Sequence, residues 1–353
     1  MRFVSGWRDH YDVVIVGAGP AGCMTARELD REKDVLIVDR LALPREKVCG
    51  GLISPRAQRV LEGLAPPDGV YASPKEVQVR AIDLENDREA DLRSLFNGWR
   101  DRLDEWLLHL VPDNVEVMAQ TTFVGLQQEE ETVEVILKRG GGKVQVRADY
   151  VVGAEGASLS VRRILEPRLP KRWVGLQEWI QVDEPLERVY MAYDMKVTRG
   201  FLWAIPKDHF LLIGGLFAPE SNPREDFERM KELLQGRLNC QTGAIVKREG
   251  GRIIKVERPW DVFLGRGRVL LVGESAGLIS GSSGEGLSFA LLSGEMCARA
   301  INRDGGDEVL GDYKGLVRRQ VWRSWSKIPQ WIAVSNSFTR WIALKGIFGG
   351  KRT

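Results

Sequence analysis

The sequence predicts an α/β protein in which a strand–turn–helix unit is joined to an inserted antiparallel sheet and a C-terminal helical tail. Three observations predict this fold. Residues 11–30 combine a short β-branched run, a glycine-rich turn and a stretch of helical composition. Residues 188–217 show the alternation of apolar and polar residues that is typical of strands, and the last forty residues are basic and rich in tryptophan. With 353 residues, the chain is long enough for two domains.

Composition narrows the range of functions. The formal net charge of +2 argues against a dedicated nucleic-acid-binding protein. The four cysteines show neither a Cys-x-x-Cys pair nor metal-ligand spacing, which predicts a reducing cytosol and no metal site. The N-terminus lacks the apolar core of a signal peptide, and no run of eighteen apolar residues predicts a spanning helix. We therefore expect a cytoplasmic monomer.

The first motif, YDVVIVGAGPAGCMTARELD, predicts a dinucleotide site. A buried parallel strand would contain Val13 to Val16. Gly17 would make the tight turn, Gly19 would let the backbone approach a pyrophosphate, and Gly22 would pack the helix on the strand. Asp39 ends the next apolar run, 17 residues after Gly22, where an acid accepts a ribose hydroxyl. An acid there favours FAD or NAD over NADP; the alternative is a glycine-rich turn without a ligand.

The rest of the chain favours FAD. An NAD dehydrogenase usually continues through another βαβ unit, whereas this chain enters the loop DRLALPREKVCGGLIS. Residues 148–163, ADYVVGAEGASLSVRR, then give a strand and an acidic turn. Residues 267–301 give a strand, a second acidic turn, a Ser/Gly loop and a long helix.

On these motifs the chain resembles FAD-dependent oxidoreductases of the aromatic-hydroxylase superfamily, and within it the geranylgeranyl reductase family. Glu155-Gly156 and Gly273-Glu274 match the Asp-Gly and Gly-Asp turns of such proteins, with Glu in place of Asp. The stretch WRDRLDEWLL is similar to another superfamily motif and nominates Arg100 as a flavin-side contact; a solvated helical charge is the alternative. The resemblance implies a Rossmann-like FAD-binding domain of the p-hydroxybenzoate hydroxylase type.

The motifs and the resemblance together nominate the cofactor site. Gly284 and Gly286 fall at a helix start, where free N–H groups and the positive end of the dipole suit an anionic reduced flavin. The alternative is a loop that only caps the helix. The candidate FAD-binding residues are Gly17, Ala18, Gly19, Pro20, Ala21, Gly22, Asp39, Arg40, Lys47, Cys49, Gly50, Arg100, Val124, Glu155, Gly156, Gly273, Glu274, Gly284, Gly286 and Leu287.

The segment FLWAIP nominates substrate contacts. It resembles signatures of both geranylgeranyl reductases and flavin-dependent halogenases, so it leaves the two classes open. Phe201, Trp203 and Ile205 alternate onto one face of a strand that continues into Pro206. These residues either line an apolar substrate tunnel or belong to the ordinary core. The following Lys207 and His209 are expected to form a polar strand end.

The stretch EKVCGGLIS favours the reductase, because it resembles the Lys-x-Cys-Gly pattern of that family and not the glycine-acid-serine loop of halogenases. Reduction of an isolated alkene needs a proton for the second carbon, and Cys49 is a candidate donor. Gly50 and Gly51 would allow close approach to the flavin ring, so Cys49, Gly50 and Gly51 are the catalytic candidates. The alternative for Cys49 is a small packed thiol.

The expected domain boundaries follow from these motifs. Residues 1–60, 90–165 and 260–310 would form the discontinuous FAD-binding domain, and residues 61–89 and 166–259 the sheet-rich substrate domain. Residues 311–353 would form the tail. From residue 314 on, the tail has nine Lys/Arg, four Trp (Trp322, Trp325, Trp331 and Trp341) and no Asp or Glu. It would form amphipathic helices broken at Pro329, which either touch an anionic membrane surface or cap the substrate domain.

The leading functional hypothesis is a flavoprotein that reduces carbon–carbon double bonds of an isoprenoid or similar lipid. Only one complete dinucleotide motif is present, so the electrons would come from transiently bound NAD(P)H or from a protein such as ferredoxin. One alternative is a monooxygenase or halogenase that acts on an aromatic or apolar substrate. Another is an electron-transfer flavoprotein module without its own organic substrate.

Overall fold

Two large sheets form the frame of the protein. The computed structural model describes residues 1–3, 6–238, 243–303, 306–336, 338–340 and 342. The strands of this part of the chain are β1 Arg2–Phe3, β2 His10–Val16, β3 Val35–Val38, β4 Leu52–Ile53, β5 Tyr71–Asp83, β6 Arg88–Gly98, β7 Glu116–Met118, β8 Thr122–Gln128, β9 Val133–Arg139, β10 Gly142–Gly153, β11 Lys171–Gln181, β12 Arg188–Tyr193, β13 Leu202–Lys207, β14 Phe210–Phe217, β15 Ile245–Lys255, β16 Gly265–Arg266 and β17 Val269–Leu271. The α-helices are α1 Pro20–Glu28, α2 Pro55–Glu62, α3 Arg100–His109, α4 Arg162–Leu165, α5 Pro223–Leu238, α6 Leu287–Ile301 and α7 Val309–Val334.

The first sheet has nine strands and a parallel centre. Its strand order is β1-β7-β3-β2-β10-β17-β16, and β9 and β8 extend it from β10. The register of β2 pairs Val13 with Val35 and Ile15 with Ile37, and these side chains are fully or almost fully buried. Such β-branched runs suit a strand that is covered on both faces. Helix α6 packs closely on α1, because a Cβ atom added to Gly294 would lie 2.5 Å from the carbonyl oxygen of Ala21.

The second sheet has eight strands in the order β15-β11-β14-β13-β12-β5-β6-β4. All its strand pairs are antiparallel except that of β12 with β5. Leu202 and Ala204 of β13 face a cluster that includes Phe227 of helix α5. Residues 90–98, expected in the FAD-binding domain, lie on β6 of this sheet.

Helix α7 covers the opposite face of the second sheet near its C-terminal end. Trp331 packs edge-on against Trp173 with 5.7 Å between ring centroids. The ammonium group of Lys255 lies 3.1 Å from the Trp331 centroid and donates a hydrogen bond to the carbonyl oxygen of Gly281. This packing explains why the helix runs through Pro329 instead of breaking there: proline removes one backbone hydrogen bond, but the buried Trp331 and Val334 hold the last turn in place.

The tail divides between buried and exposed tryptophans. Trp331 is buried, and the Trp325 indole donates to the carbonyl oxygen of Pro259 at 3.0 Å. Trp322 is 64% exposed, and Trp341 lies outside the described residues. Within the described part of the chain, none of the helices is both long and apolar enough to cross a bilayer.

Candidate functional site

The glycine-rich turn between β2 and α1 has the geometry that its sequence predicts. Gly17 has a φ of +110°, and an added Cβ atom would lie 2.6 Å from the carbonyl oxygen of Ala154. At Gly22, an added Cβ atom would lie 2.0 Å from the carbonyl oxygen of Gly17. Neither position tolerates a side chain. Gly19 precedes Pro20, and no side chain caps the first turn of α1, so its N–H groups remain available for an anion.

Asp39 lies at the end of β3 and faces this turn. Its carboxylate is 7% exposed and accepts hydrogen bonds of 2.9 Å from the backbone N–H groups of Ala18 and Leu41. The Arg45 guanidinium lies 3.5 Å from the same carboxylate, and its Nη2 atom would lie 2.9 Å from a Cβ atom added to Gly19. Arg45 therefore adds a positive charge at the start of α1. Sequence reasoning missed it, because no spacing rule links it to the motif.

The two acidic turns come together beside β10 and β17. Gly156 and Gly273 both have positive φ angles, and an added Cβ atom on Gly156 would lie 3.4 Å from Glu274 Oε2. Glu274 Oε2 also lies 3.5 Å from the Lys47 ammonium, and its Oε1 accepts from the Ile254 N–H at 2.9 Å. Glu274 thus connects the Lys47 loop to the second sheet.

Glu155 is held inside the first acidic turn. Its Oε1 atom accepts a hydrogen bond of 2.8 Å from the Val161 N–H. Its Oε2 atom is buried and has no partner in the described part of the protein. Burial raises the pKa of Glu155 to about 7, although nearby backbone N–H groups and Arg162 act in the opposite direction. The unpartnered oxygen is an acceptor site that a bound hydroxyl would satisfy.

The start of α6 lies where the Ser/Gly loop predicted a helix. Gly284 has a φ of +68°, Gly286 is the N-cap residue, and Leu287 begins the helix. The carboxylate of Glu285 accepts from the Ser288 N–H at 2.8 Å. Ser54, which caps α2, donates to the same carboxylate at 3.4 Å. The starts of α2 and α6 therefore meet at Glu285.

Cys49 lies beside cationic side chains and close to the second sheet. Its sulfur accepts a hydrogen bond of 3.4 Å from the Gly51 N–H. Burial raises the thiol pKa, but the Arg100 guanidinium, the Gly51 N–H and Lys47 together outweigh burial, and the pKa of Cys49 is lowered. Arg100 is fixed by Asp104, whose Oδ1 accepts from Arg100 Nη2 at 2.9 Å. Arg100 is thus an ion-paired residue beside the thiol and not a solvated charge.

Lys207 is buried beside the same thiol, contrary to the expectation of a polar strand end. It is 1% exposed, and its ammonium donates to Asn97 Oδ1 at 2.8 Å and to the Gly98 carbonyl oxygen at 2.6 Å. Burial lowers its pKa to about 8, partly offset by Cys49. A Cβ atom added to Gly51 would lie 2.8 Å from the Lys207 ammonium and 2.1 Å from the Gly98 oxygen. Cys49, Lys207, Lys47 and Arg100 line one open cleft. His209, the other residue of the expected strand end, is exposed.

Apolar side chains bound the site next to Gly50. Trp203 and Ile205 share one face of β13, and Phe201, which directly precedes this strand, belongs to the same apolar cluster, as their alternation predicts. A Cβ atom added to Gly50 would lie 2.6 Å from Ile205 Cδ1 and 3.8 Å from Trp203 Nε1. The Trp203 Nε1 atom is buried without a partner in the described residues. Pro206 is buried at the next position of the strand.

The remaining candidates differ in exposure. Ala18, Ala21 and Gly22 are buried in the turn, whereas Arg40 is exposed and Val124 of β8 is 44% exposed. Cys23 and Cys297 are buried, and burial is the main reason that their pKa values are raised. Both are packing residues. Cys240 lies outside the described residues. No group of three or more potential metal ligands occurs in the described residues.

These features fit FAD. An uncapped helix start, glycines that leave no room for a Cβ atom, and an acid at the end of β3 suit a dinucleotide. The unpartnered Glu155 oxygen suits a hydroxyl donor.

Comparison with known proteins agrees with this fit. A profile of the FAD binding domain family matches residues 10–292. Protein CbrA of Escherichia coli O157:H7 is 33% identical over 296 residues, which cover 82% of this chain and 83% of the relative. Protein CbrA of the E. coli strain CFT073 is 30% identical over 348 residues and 96% of this chain, covering 94% of the relative.

Solved structures share the fold at low identity. A geranylgeranyl bacteriochlorophyll reductase-like protein from Thermoplasma acidophilum matches with a TM-score of 0.78 at 20% identity, covering 95% of this chain and 91% of its own. The flavin-dependent halogenase CmlS matches with a TM-score of 0.73 at 19% identity, covering 95% of this chain and 67% of its own. PqsL, a probable FAD-dependent monooxygenase from Pseudomonas aeruginosa, matches with a TM-score of 0.71 at 20% identity, covering 97% of this chain and all of its own. The predicted α/β fold, with its FAD-binding sheet and C-terminal helix, is thereby confirmed, and the chain belongs to the FAD binding domain family with the fold of FAD-dependent oxidoreductases.

Proposed function

We propose that this protein reduces carbon–carbon double bonds of an isoprenoid or similar lipid. One observation carries the proposal: the thiol of Cys49, with its lowered pKa, lies next to Gly50, and Gly50 in turn borders the apolar cluster of Trp203 and Ile205. A weak acid at the edge of an apolar cluster is the arrangement that reduction of an unpolarised alkene needs.

The residues that the sequence nominates for FAD would hold the cofactor. The turn from Gly17 to Gly22, with Asp39, would hold the dinucleotide at the start of α1. Glu155 and Glu274 would accept hydroxyl groups of the ribityl chain, and the backbone at Gly284, Gly286 and Leu287 would face the flavin pyrimidine edge.

Each residue near the thiol has a part in the proposed reaction. Bound and reduced FAD would supply a hydride to one alkene carbon. Cys49 would deliver a proton to the other carbon, and Arg100 and Lys47 would stabilise the thiolate that remains. Solvent would return the proton through the open cleft that Cys49 and Lys207 line.

The substrate side is apolar. Phe201, Trp203, Ile205 and Pro206 would contact the lipid chain and exclude water from the reacting carbons. The electrons would come from NAD(P)H that binds only transiently, or from a ferredoxin-like protein. The tail would bring the protein to an anionic membrane surface through its exposed aromatic side chains.

An oxygen-using monooxygenase or halogenase is the second candidate. It is favoured by the TM-scores of 0.73 and 0.71 to a halogenase and a monooxygenase, which are close to the score of 0.78 for the reductase-like protein. The fold is common to these classes, so the chemistry beside the flavin must separate them.

The test is anaerobic. FAD-loaded protein is reduced with dithionite, freed of excess reductant and mixed with geranylgeraniol or geranylgeranyl diphosphate in D₂O. We expect flavin reoxidation to be coupled to loss of alkene proton signals. In the Cys49→Ala variant the rate should fall by about 10²- to 10⁴-fold, the usual contribution of general acid catalysis.

The control is the FAD content and the dithionite reduction of the variant, both of which should match the wild type. Unchanged turnover in Cys49→Ala would exclude the thiol as the proton source. If no alkene is reduced and an oxygenated product forms when air is admitted, the reductase proposal is wrong and the oxygen-using candidate is favoured.

A further inference from the structure

A group of basic side chains lies where α2, β6 and α7 meet. We call it the basic cluster; its members are Arg56, Arg59, Arg93, Arg323 and Lys327. Arg56 and Arg323 approach the same buried ring, with their Cζ atoms 5.9 Å and 5.8 Å from the centroid of Phe289. Phe289 lies in the first turn of α6, so the basic cluster adjoins the proposed flavin site.

Three members of the cluster, Arg56, Arg323 and Lys327, are incompletely neutralised. In the part of the chain that the structure describes, no carboxylate forms an ion pair with Arg56, Arg323 or Lys327, and Arg56 Nη1 is buried without a hydrogen-bond acceptor. Arg56 Nη2 donates to the neutral side chain of Gln320. Glu285 is the acid that raises the pKa of Arg56 and of Lys327. Its carboxylate already accepts hydrogen bonds from the Ser288 N–H at the start of α6 and from the Ser54 hydroxyl.

Charge repulsion and burial act together on the cluster. Burial, with Arg323 as the next contributor, lowers the pKa of Arg56 to about 10. Burial also lowers the pKa of Lys327, again with Arg323 and then Arg93 contributing. Like charges that are held together and partly desolvated destabilise a protein unless an anion binds between them.

The basic cluster is continuous with the apolar cluster on the second sheet. Lys327 and Trp331 lie four residues apart on α7 and therefore on one helix face. Arg93 and Leu95 lie two residues apart on β6 and therefore on one strand face. Trp331 and Leu95 belong to the apolar cluster that contains Trp203 and Ile205. The basic cluster and the apolar cluster are therefore adjacent.

From this arrangement we infer that Arg56, Arg323 and Lys327 bind the phosphate or diphosphate headgroup of an amphiphilic substrate whose chain extends along the apolar cluster toward Gly50. This inference rests on the proposed function and narrows it to anionic lipids. Guanidinium groups suit such a headgroup, because they offer paired N–H donors to phosphate oxygens. The phosphates of NADPH have the same chemistry and are a separate arm of the test.

The experiment measures binding, not turnover. Oxidised, FAD-loaded protein is titrated calorimetrically with farnesyl diphosphate, with farnesol, with inorganic pyrophosphate and with NADPH. The variants are Arg56→Gln, Arg323→Gln and their combination. The control is Arg319→Gln, an exposed arginine on the same helix that lies outside the basic cluster.

We expect farnesyl diphosphate to bind about 10- to 100-fold more weakly to each single variant, the loss expected for a charge-assisted hydrogen bond. Pyrophosphate binding should weaken in the same variants, whereas farnesol binding and the Arg319→Gln control should match the wild type. Arg323→Gln should melt no lower than the wild type, because the substitution removes a repulsion; this separates lost binding from lost folding.

Equal affinity of the wild type and the double variant for farnesyl diphosphate would overturn the inference. Weakened NADPH binding with unchanged farnesyl diphosphate binding would overturn it as well, and would assign the cations to the nucleotide. Arginine-dependent binding without alkene reduction would overturn the proposed function and leave the headgroup site standing. Alkene reduction together with arginine-independent binding of farnesyl diphosphate would overturn the headgroup site and leave the proposed function standing.

Discussion

The buried carboxylate of Glu155 allows a quantitative prediction for the variant Glu155→Gln. Burial raises the pKa of this group from an ordinary value of 4.5 to about 7. One pKa unit corresponds to about 1.4 kcal/mol, so ionised Glu155 costs the FAD-free protein up to about 3 kcal/mol. The amide of glutamine avoids that cost and keeps an oxygen to accept from the Val161 N–H.

The sign of the pH dependence of stability follows from proton binding. Between pH 4.5 and pH 7 the folded protein holds a proton that the unfolded chain has lost, so the free energy of unfolding of the wild type falls as the pH rises through this window. The variant lacks this contribution. We expect Glu155→Gln to match the wild type near pH 4.5 and to be more stable by about 2–3 kcal/mol at pH 8.

The assay is urea unfolding of FAD-free protein at several pH values, with the exposed Glu131→Gln variant as control. If Glu155 Oε2 accepts a ribityl hydroxyl, FAD binding favours its ionised form, and wild-type affinity for FAD should rise from pH 6 to pH 8. A pH-independent difference in stability between variant and wild type would refute the burial argument. A pH-independent FAD affinity would refute the contact.

Two further predictions concern charge and exposure. Burial lowers the pKa of Lys207 to about 8, so between pH 8 and 10.5 the unfolded chain holds a proton that the folded protein has lost. The free energy of unfolding of the wild type should therefore rise with pH in this window, and urea unfolding of Lys207→Met should show no such rise. Trp322 and Phe338 are 64% and 85% exposed, so replacing both by alanine should weaken co-sedimentation with anionic phosphatidylserine vesicles severalfold; neutral phosphatidylcholine vesicles are the control, and unchanged sedimentation would contradict membrane contact.

The first nucleotide-binding turn could be predicted from the sequence because its determinants are local. Gly17, Gly22 and Asp39 lie within one strand–helix–strand unit, and their geometry follows from chain sterics over that short stretch. The same holds for the α6 start at Gly286 and for the shared strand face of Trp203 and Ile205. In each case a short spacing determines which backbone groups are free or which side chains share a face.

Lys207 could not be predicted in this way. It precedes Asp208, which has a φ of +52°, in a tight connection whose sequence is typical of an exposed hairpin end. Its burial depends on Asn97 and Gly98, more than a hundred residues earlier, which approach it through the pairing of the second sheet. The continuation of α7 through Pro329 has a similar origin, since the packing of Trp331 on Trp173 overrides a local helix-breaking signal.

The environment of Cys49 sets a limit on the proposed chemistry. Arg100 is balanced by Asp104 and Lys47 by Glu274, whereas the Lys207 ammonium is bound only by neutral oxygens in the described structure. Asp208 and Asp101 attract the Lys207 ammonium without forming an ion pair in the described structure, so the thiol lies near a positive charge that is only partly compensated at neutral pH. As the pH rises through about 8, Lys207 loses its proton and this stabilisation of the thiolate weakens. Proton delivery by Cys49 would thus depend on two coupled groups, and the alkaline limb of its pH profile would belong to the Cys49–Lys207 pair instead of to the thiol alone.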